Sequence, residues 1–151
     1  MSRSVPSNSL ADRNERDNWL QTRPGERCLI RVPAADTHGA YSFVEIVSDP
    51  GDGTPLHVHQ KEDEHLFVLE GTVRLALGDK IFDAEAGTMV ALPNNIPHAW
   101  GNRTTSKLRM AFIVCPGGAE EAMRIIAKGE VVDLPAMAAK FGVTVLGPTP
   151  F

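Results

Sequence analysis

The chain has 151 residues and lacks the features of several classes of protein. Its 15 basic and 19 acidic side chains give a formal charge of −4, which is not the clustered positive charge typical of nucleic-acid binding. No apolar run approaches the roughly 18 residues of a membrane-spanning helix. Residues 1–16 contain no apolar stretch of the kind found in secretory signals. We therefore expect a cytoplasmic protein that binds neither nucleic acid nor membrane.

Cysteine is also scarce, because Cys28 and Cys115 are the only two in the chain. They are far apart and form no CxxC motif, so we expect two reduced thiols rather than a disulfide framework. Hydrophobic residues make up 42% of the chain and charged residues 23%, as in ordinary globular proteins. A chain of this length is typical of one domain with its own core.

From residue 28 onward, apolar side chains recur with a period of two, which is typical of β-strands. Gly, Pro, Asp and Asn separate many short segments of this kind, so we predict an all-β fold, an antiparallel sandwich or barrel. After Pro116 the pattern becomes helical, with Asp133 as the cap of a second short helix and Gly142 as its stop. The predicted parts are a flexible N-terminal arm (residues 1–27), a barrel (28–116) and a C-terminal helical extension that packs on the barrel (117–151).

Four of the five histidines lie between positions 57 and 98. His57 and His59 are two residues apart on a predicted strand, so both side chains lie on one face, roughly 6.5–7 Å apart along the chain. Glu64 begins the next strand and can lie beside this pair, and His98 begins a later strand. Three imidazole nitrogens and one carboxylate suit a divalent transition metal ion, and the ligand set accommodates Fe, Mn, Ni, Co, Cu or Zn.

Two motifs carry a resemblance to a known family. Residues 51–71 read G-x5-H-x-H-x4-E-x6-G, and residues 87–102 read G-x5-P-x-N-x2-H-x3-N. These resemble the two motifs of the cupin superfamily, and the short spacing between them is similar to that of small single-domain cupins. The resemblance implies a double-stranded β-helix, or jelly-roll barrel. It also implies that the barrel holds one metal ion on His57, His59, Glu64 and His98.

The second motif departs from the family pattern at Asn95, where glycine is usual. Asn tolerates the left-handed backbone region better than most residues, so we predict a positive φ at this position. We expect Glu62 and Asp63 to lie in a solvated turn. His65 should face away from the metal, because it alternates with Glu64 along the strand.

Inward-facing positions should also line a substrate pocket. Leu66 and Val68 share the face of Glu64, and Trp100 shares the face of His98. Met110 and Phe112 lie on the inward face of a later strand. Since no lysine or arginine falls clearly on an inward position, we expect an uncharged, partly aromatic or apolar ligand that binds the metal through oxygen. The pocket residues predicted on these grounds are Leu66, Val68, Trp100, Met110 and Phe112.

Three functions remain open at this point. The site is similar to that of quercetin dioxygenase-like cupins, which implies a metal-dependent dioxygenase acting on a small enol- or diketone-type substrate. In that scheme Glu64 either binds the metal or acts as a catalytic base. A metal-dependent isomerase or lyase needs no oxygen. A non-catalytic small-molecule-binding protein is the third possibility, since one fold hosts many functions.

Two apolar features predict a homodimer. Trp19 and Leu20 are the only large apolar side chains near the end of the predicted arm, so they need a surface to cover them. The predicted strand over residues 65–69 is apolar on both faces, which indicates that both faces are covered. Two-fold pairing is the commonest way for a small protein to cover such surfaces.

Overall fold

The computed structural model describes residues 18–151, which form two antiparallel β-sheets and two short α-helices. The predicted all-β fold is thereby confirmed. The strands are β1 (Leu20–Arg23), β2 (Glu26–Val32), β3 (Ser42–Ser48), β4 (Leu56–His59), β5 (Asp63–Glu70), β6 (Thr72–Leu77), β7 (Lys80–Glu85), β8 (Met89–Leu92), β9 (His98–Gly101), β10 (Leu108–Cys115) and β11 (Val143–Gly147). The helices are α1 (Glu120–Ala127) and α2 (Leu134–Ala139), and a 3-10 turn spans Ala34–Thr37.

The two sheets face each other as a double-stranded β-helix. One has the strand order β1-β2-β3-β10-β5-β8, and the other has the order β11-β4-β9-β6-β7. Consecutive strands therefore alternate between the sheets in several places, so residues far apart in the chain meet inside the barrel. No helix within residues 18–151 has the length and apolar character required to span a membrane.

The core lies between the sheets and follows the period-two pattern. In β3, every second side chain is buried, starting with Ser42, and the same alternation recurs in β5. Leu66, Val68 and Met110 are each 0% exposed. Burying a side chain of this size contributes about 1.5–3 kcal/mol, so the alternation fixes which face of each strand turns inward.

The N-terminal boundary of the barrel lies earlier than the sequence indicated. The predicted arm ended at residue 27, but β1 pairs with β2 in antiparallel register, with Leu20 opposite Cys28. Polar composition misled the prediction here, because Thr22 and Glu26 are buried and hydrogen-bond to each other. The part of the predicted arm that covers residues 1–17 lies outside the described residues.

The C-terminal part contains the two predicted helices and one additional strand. Asp133 caps α2, as predicted, and its carboxylate accepts a hydrogen bond from Ala136 N at 3.0 Å. The segment after α2 belongs to the barrel itself, because β11 pairs with β4 and places Val145 opposite His57. Helix α1 packs near β1. Strand β11 of the extension therefore lies beside β4, which carries two of the predicted metal ligands.

Candidate metal centre

The four predicted ligands come from three strands. His57 and His59 lie on β4, Glu64 is the second residue of β5, and His98 is the first residue of β9. His57 and His98 are direct partners in the β4–β9 register. Glu64 belongs to the opposite sheet, so the cluster bridges the two sheets.

The structure brings the four side chains together in one cluster. One ligand atom from each residue lies within 4.8 Å of the other three. Glu64 Oε1 lies 2.5 Å from His59 Nε2 and 4.0 Å from His98 Nε2. Donor atoms around a single ion at bond lengths near 2.1 Å lie about 3–4 Å apart, so these residues fit a transition metal ion.

The histidine rings are oriented by contacts on their other nitrogens. His57 Nδ1 lies 2.7 Å from the carbonyl oxygen of Pro55, a contact that suits an N–H donor and leaves Nε2 as the free lone pair. His59 Nδ1 lies 3.3 Å from Glu62 Oε2. Carboxylate and carbonyl partners of this kind hold metal-binding imidazoles in the required tautomer.

The pKa values of three ligands favour the protonation states that metal binding needs. Burial lowers the pKa of His57, and burial lowers the pKa of His98 to about 4, so both imidazoles are neutral at pH 7. Burial opposes ionisation of Glu64, but its hydrogen bond to His59 and the neighbouring imidazoles outweigh that effect and lower its pKa to about 2. Glu64 is therefore a carboxylate at pH 7.

His59 differs from the other two histidines. Burial alone would lower its pKa, but contacts with Glu64 and then Glu62 outweigh burial and raise its pKa. A metal ion and a proton compete for the same ring nitrogen of His59, so the affinity for a metal ion must depend on pH.

The cluster opens into a cavity of about 470 Å³. The volume lies in the range of small-molecule binding sites. Apart from the cluster and a few polar groups, the walls are apolar and come from both sheets and from the C-terminal segment. They include Ile46, Trp100, Phe112, Met123, Ile126 and Phe141.

The predicted pocket residues divide into two groups. Trp100 and Phe112 line the cavity, whereas Leu66, Val68 and Met110 lie in the closed core. The β5–β10 register gives the reason, because it pairs Glu64 with Val114, Leu66 with Phe112 and Val68 with Met110. The cavity lies at the Glu64 end of these strands, and the inward positions of β5 from Leu66 onward lie deeper than the cavity reaches. Strand parity predicts the face of a side chain but not its depth.

Three polar residues of the β1–β2 hairpin that line the cavity were missed by the sequence analysis, as was the role of Glu62. Thr22, Arg23 and Glu26 reach the cavity from the β1–β2 hairpin. Their polar character indicated an exposed arm, and no motif marks them. Glu62 was predicted to be solvated but lies beside His59; its position three residues after His59 was the available signal.

Comparison with known proteins agrees with this fold. The model of the Cupin_2 family, described as the cupin domain, matches residues 44–114. Mannose-1-phosphate guanylyltransferase 2 of Escherichia coli O157:H7 is 29% identical over 79 residues, which cover 52% of this chain and 16% of that protein. Quercetin 2,3-dioxygenase of Bacillus subtilis (strain 168) is 27% identical over 88 residues, which cover 54% of this chain and 26% of that protein.

A solved structure extends the similarity beyond the family match. KdgF from Halomonas sp. superposes with a TM-score of 0.61 at 18% identity, covering 72% of this chain and 94% of that one. The family match identifies residues 44–114 of the chain as a cupin domain. The matches to the two curated relatives span about a quarter or less of those proteins, so they identify the shared domain and not the activity.

Proposed function

We propose that this protein is a metal-dependent dioxygenase that acts on a flat, largely apolar substrate carrying an enol- or diketone-type oxygen. The observation that carries the proposal is the position of the His57, His59, Glu64 and His98 cluster in the wall of an otherwise mostly apolar cavity. Such a cavity accommodates rings or alkyl groups, while the cluster is the place for one oxygen function of the substrate.

The donor set determines which metal ions suit the site. Three nitrogens and one carboxylate oxygen fit a borderline divalent ion such as Fe, Mn, Ni, Co, Cu or Zn. An ion held by these residues would supply a positive centre that stabilises a deprotonated substrate oxygen and, if redox-active, would allow electron exchange with dioxygen.

The remaining chemistry belongs to the protein's own side chains. Glu64 is ionised and lies beside His59, so it either binds the metal or accepts the proton that an enol hydroxyl loses. His57 is held in orientation by Pro55 O, and Trp100 is 3% exposed at the cavity wall. These walls exclude water from an electron-rich substrate and reduce side reactions.

The two sequence relatives point to different substrates, and the charges in the cavity wall favour the apolar substrate over a sugar phosphate. The quercetin dioxygenase match extends over 88 residues, and quercetin is a flat aromatic molecule. The guanylyltransferase match would suggest a sugar phosphate. Arg23 is the one arginine or lysine among the described residues that line the cavity, and it already pairs with Glu26 and Asp52. A phosphate group would therefore lack a free cation to bind it.

A metal-dependent isomerase or lyase is the alternative. The observation in its favour is the pair of carboxylates at Glu62 and Glu64, which contact the two ring nitrogens of His59 and could move a proton without oxygen. Turnover of a diketone or enediol under anaerobic conditions distinguishes this function from the oxygenase.

Oxygen consumption tests the proposal directly. Protein loaded separately with Fe, Mn, Ni, Co or Cu is supplied with quercetin or a simple diketone, and oxygen uptake is recorded. We expect uptake with at least one metal and its loss in His98→Ala. The matched control is His65→Ala, because His65 lies on β5 next to Glu64 but outside the cluster. No metal-dependent uptake across this panel, or uptake that survives His98→Ala, would contradict the proposal.

A further inference from the structure

The β1–β2 hairpin contributes a polar patch to the cavity that lies outside the histidine cluster. Thr22, Arg23 and Glu26 lie on the β1–β2 hairpin and line the cavity wall. The Arg23 side chain is 28% exposed and that of Glu26 only 6%. Charged side chains are rarely buried to this extent unless they are paired. A few polar groups in an otherwise apolar cavity wall fix the orientation of a bound ligand.

The hydrogen bonds of Arg23 leave part of its guanidinium group available. Nε donates to Asp52 Oδ1 at 3.0 Å, and Nη2 donates to Glu26 Oε2 at 2.5 Å and to Asp52 Oδ2 at 3.1 Å. Within residues 18–151, the structure records no hydrogen-bond partner for Nη1. Because a guanidinium has five N–H donors in a fixed plane, the two on Nη1 have a set direction.

Arg23 lines the same cavity as the histidine cluster. Its guanidinium carbon lies 5.4 Å from the centroid of the Trp100 ring, which also lines the cavity. A ligand that fills the cavity between the histidine cluster and Trp100 therefore also contacts the Arg23 side chain.

The charge of the patch indicates what kind of group it binds. Arg23 faces the two carboxyl groups of Glu26 and Asp52, so the patch has no excess positive charge for an anion. Burial raises the pKa of Glu26, although Arg23 and Thr22 partly offset that effect. Glu26 Oε2 has one recorded donor, so its second lone pair can accept another hydrogen bond. A neutral hydroxyl group matches both partners, because it accepts from Nη1 and donates to Glu26.

We propose that Arg23 and Glu26 form a polar subsite that binds a neutral hydroxyl group of a flat ligand, separate from the oxygen that faces the histidines. This subsite proposal rests on the proposed function in one respect only, namely that the ligand is flat and largely apolar. The subsite would make the hydroxylation pattern of the ligand a determinant of specificity, because a buried donor and acceptor are left unpaired by an analogue without the hydroxyl.

The test compares 2-naphthol with naphthalene, which differ by one hydroxyl group. Binding to the full-length protein as purified is followed through the indole N–H signal of Trp100 in two-dimensional NMR spectra, with Trp19→Phe used to assign that signal. We expect wild-type protein to bind 2-naphthol about tenfold more tightly than naphthalene, as one hydrogen-bonded group allows. Arg23→Met should reduce this ratio to about one.

Arg74→Met is the matched control. Arg74 pairs with Asp83 through the same two nitrogens that Arg23 uses for Asp52, at 2.9 and 3.3 Å, but on the exposed surface of β6 and β7. The control should keep the wild-type preference. A ratio that falls equally in Arg74→Met would contradict the proposal, because the effect would then come from losing any arginine.

A second variant protects the test against misfolding. Arg23→Met leaves Glu26 buried without its partner, whereas Arg23→Met/Glu26→Leu replaces the ion pair by apolar side chains, a change that is often neutral or stabilising. The double variant should bind naphthalene at least as tightly as 2-naphthol. The proposal is overturned by equal binding of both probes to wild-type protein, by no binding of either, or by a preference that survives in both Arg23 variants. Oxygen uptake is measured separately, so loss of the oxygenase function would leave a hydroxyl preference at Arg23 intact.

Discussion

His59 Nδ1 lies 3.3 Å from Glu62 Oε2, while its Nε2 lies 2.5 Å from Glu64 Oε1. The imidazole is therefore held between a carboxylate inside the cluster and one behind it. The outer carboxylate keeps the ring in one orientation and increases the electron density on the ligating nitrogen. Glu62 accordingly acts as a positioning residue for the metal centre.

Glu62→Gln should weaken metal binding by about 10–100-fold without abolishing it, as is typical when the partner of a metal-binding histidine is replaced. Metal titration monitored by calorimetry gives the dissociation constant. Glu70→Gln is the control, because Glu70 is an exposed carboxylate at the far end of β5. Equal affinities in wild type and Glu62→Gln would show that Glu62 does not position His59.

Metal binding should also stabilise the fold, because His57, His59, Glu64 and His98 join three strands from two sheets. At a metal concentration a hundredfold above the dissociation constant, binding to the folded state alone adds about 2.7 kcal/mol. His59→Ala should lose the metal and lower the melting temperature of the metal-loaded protein by on the order of 5–10 °C. Elemental analysis and thermal unfolding check this.

His65→Ala provides the comparison for that experiment. His65 occupies the same strand as Glu64, one position along, and lies outside the cluster. It should keep both the metal and the metal-dependent rise in melting temperature. Full metal occupancy and unchanged melting in His59→Ala would remove His59 from the set of ligands.

The sequence predicted the clustering of the four candidate ligands better than it predicted the cavity around them. Histidine and glutamate are residue types that bind metal ions, so the sequence itself marks the candidate ligands His57, His59, Glu64 and His98. Their spacing on strands with alternating side chains indicates that these side chains lie close together. Which residues line the cavity depends on how deep each position lies in the barrel and on where the C-terminal segment packs. Val145 is one example: it faces the cavity because β11 pairs with β4, a long-range pairing that no local pattern indicates.

The β1–β2 hairpin shows a second limit. Thr22, Arg23 and Glu26 are polar, and a polar segment at a chain end resembles a solvated arm. In the structure these side chains pair with one another and with Asp52, so they can be buried without losing hydrogen bonds. Composition indicates how costly it is to bury each polar group, but it does not show whether the folded chain supplies a hydrogen-bond partner. For Arg23 that partner is Asp52, which lies 29 residues further along the chain.

Asn95 has a φ of 60°, which confirms the predicted positive backbone angle. Its backbone N–H donates to the carbonyl oxygen of His59 at 2.7 Å, so a hydrogen bond joins this turn to the strand that carries two of the candidate ligands.

Asn95→Gly should leave stability nearly unchanged, because glycine adopts this angle freely. Asn95→Val should cost on the order of 1–2 kcal/mol, since a branched side chain is strained there. Urea unfolding of the two variants measures the difference, and equal stabilities would contradict it.

Glu120 should give the protein a stability component that depends on pH. Its side chain is 2% exposed and accepts hydrogen bonds from Ala34 N at 2.7 Å and Gly118 N at 3.0 Å, which attaches the start of α1 to the barrel. Burial opposes ionisation, but the hydrogen bonds from the backbone outweigh it and lower the pKa of Glu120. A carboxyl group with a lower pKa in the folded state stabilises the fold fully above its unfolded pKa of about 4.3. That contribution disappears as the pH falls through the folded value.

Glu120→Gln should therefore lower the free energy of unfolding by about 1–3 kcal/mol at pH 7, because one backbone N–H loses its charged acceptor. The difference between wild type and variant should shrink as the pH falls below about 4. Urea unfolding of both proteins at several pH values between 7 and 3 measures it. Glu121→Gln is the control, since Glu121 is the exposed neighbour on the same helix and pairs with Arg124 at the surface. A difference that stays constant down to pH 3 would mean that the effect of Glu120 comes from its shape and not from its charge.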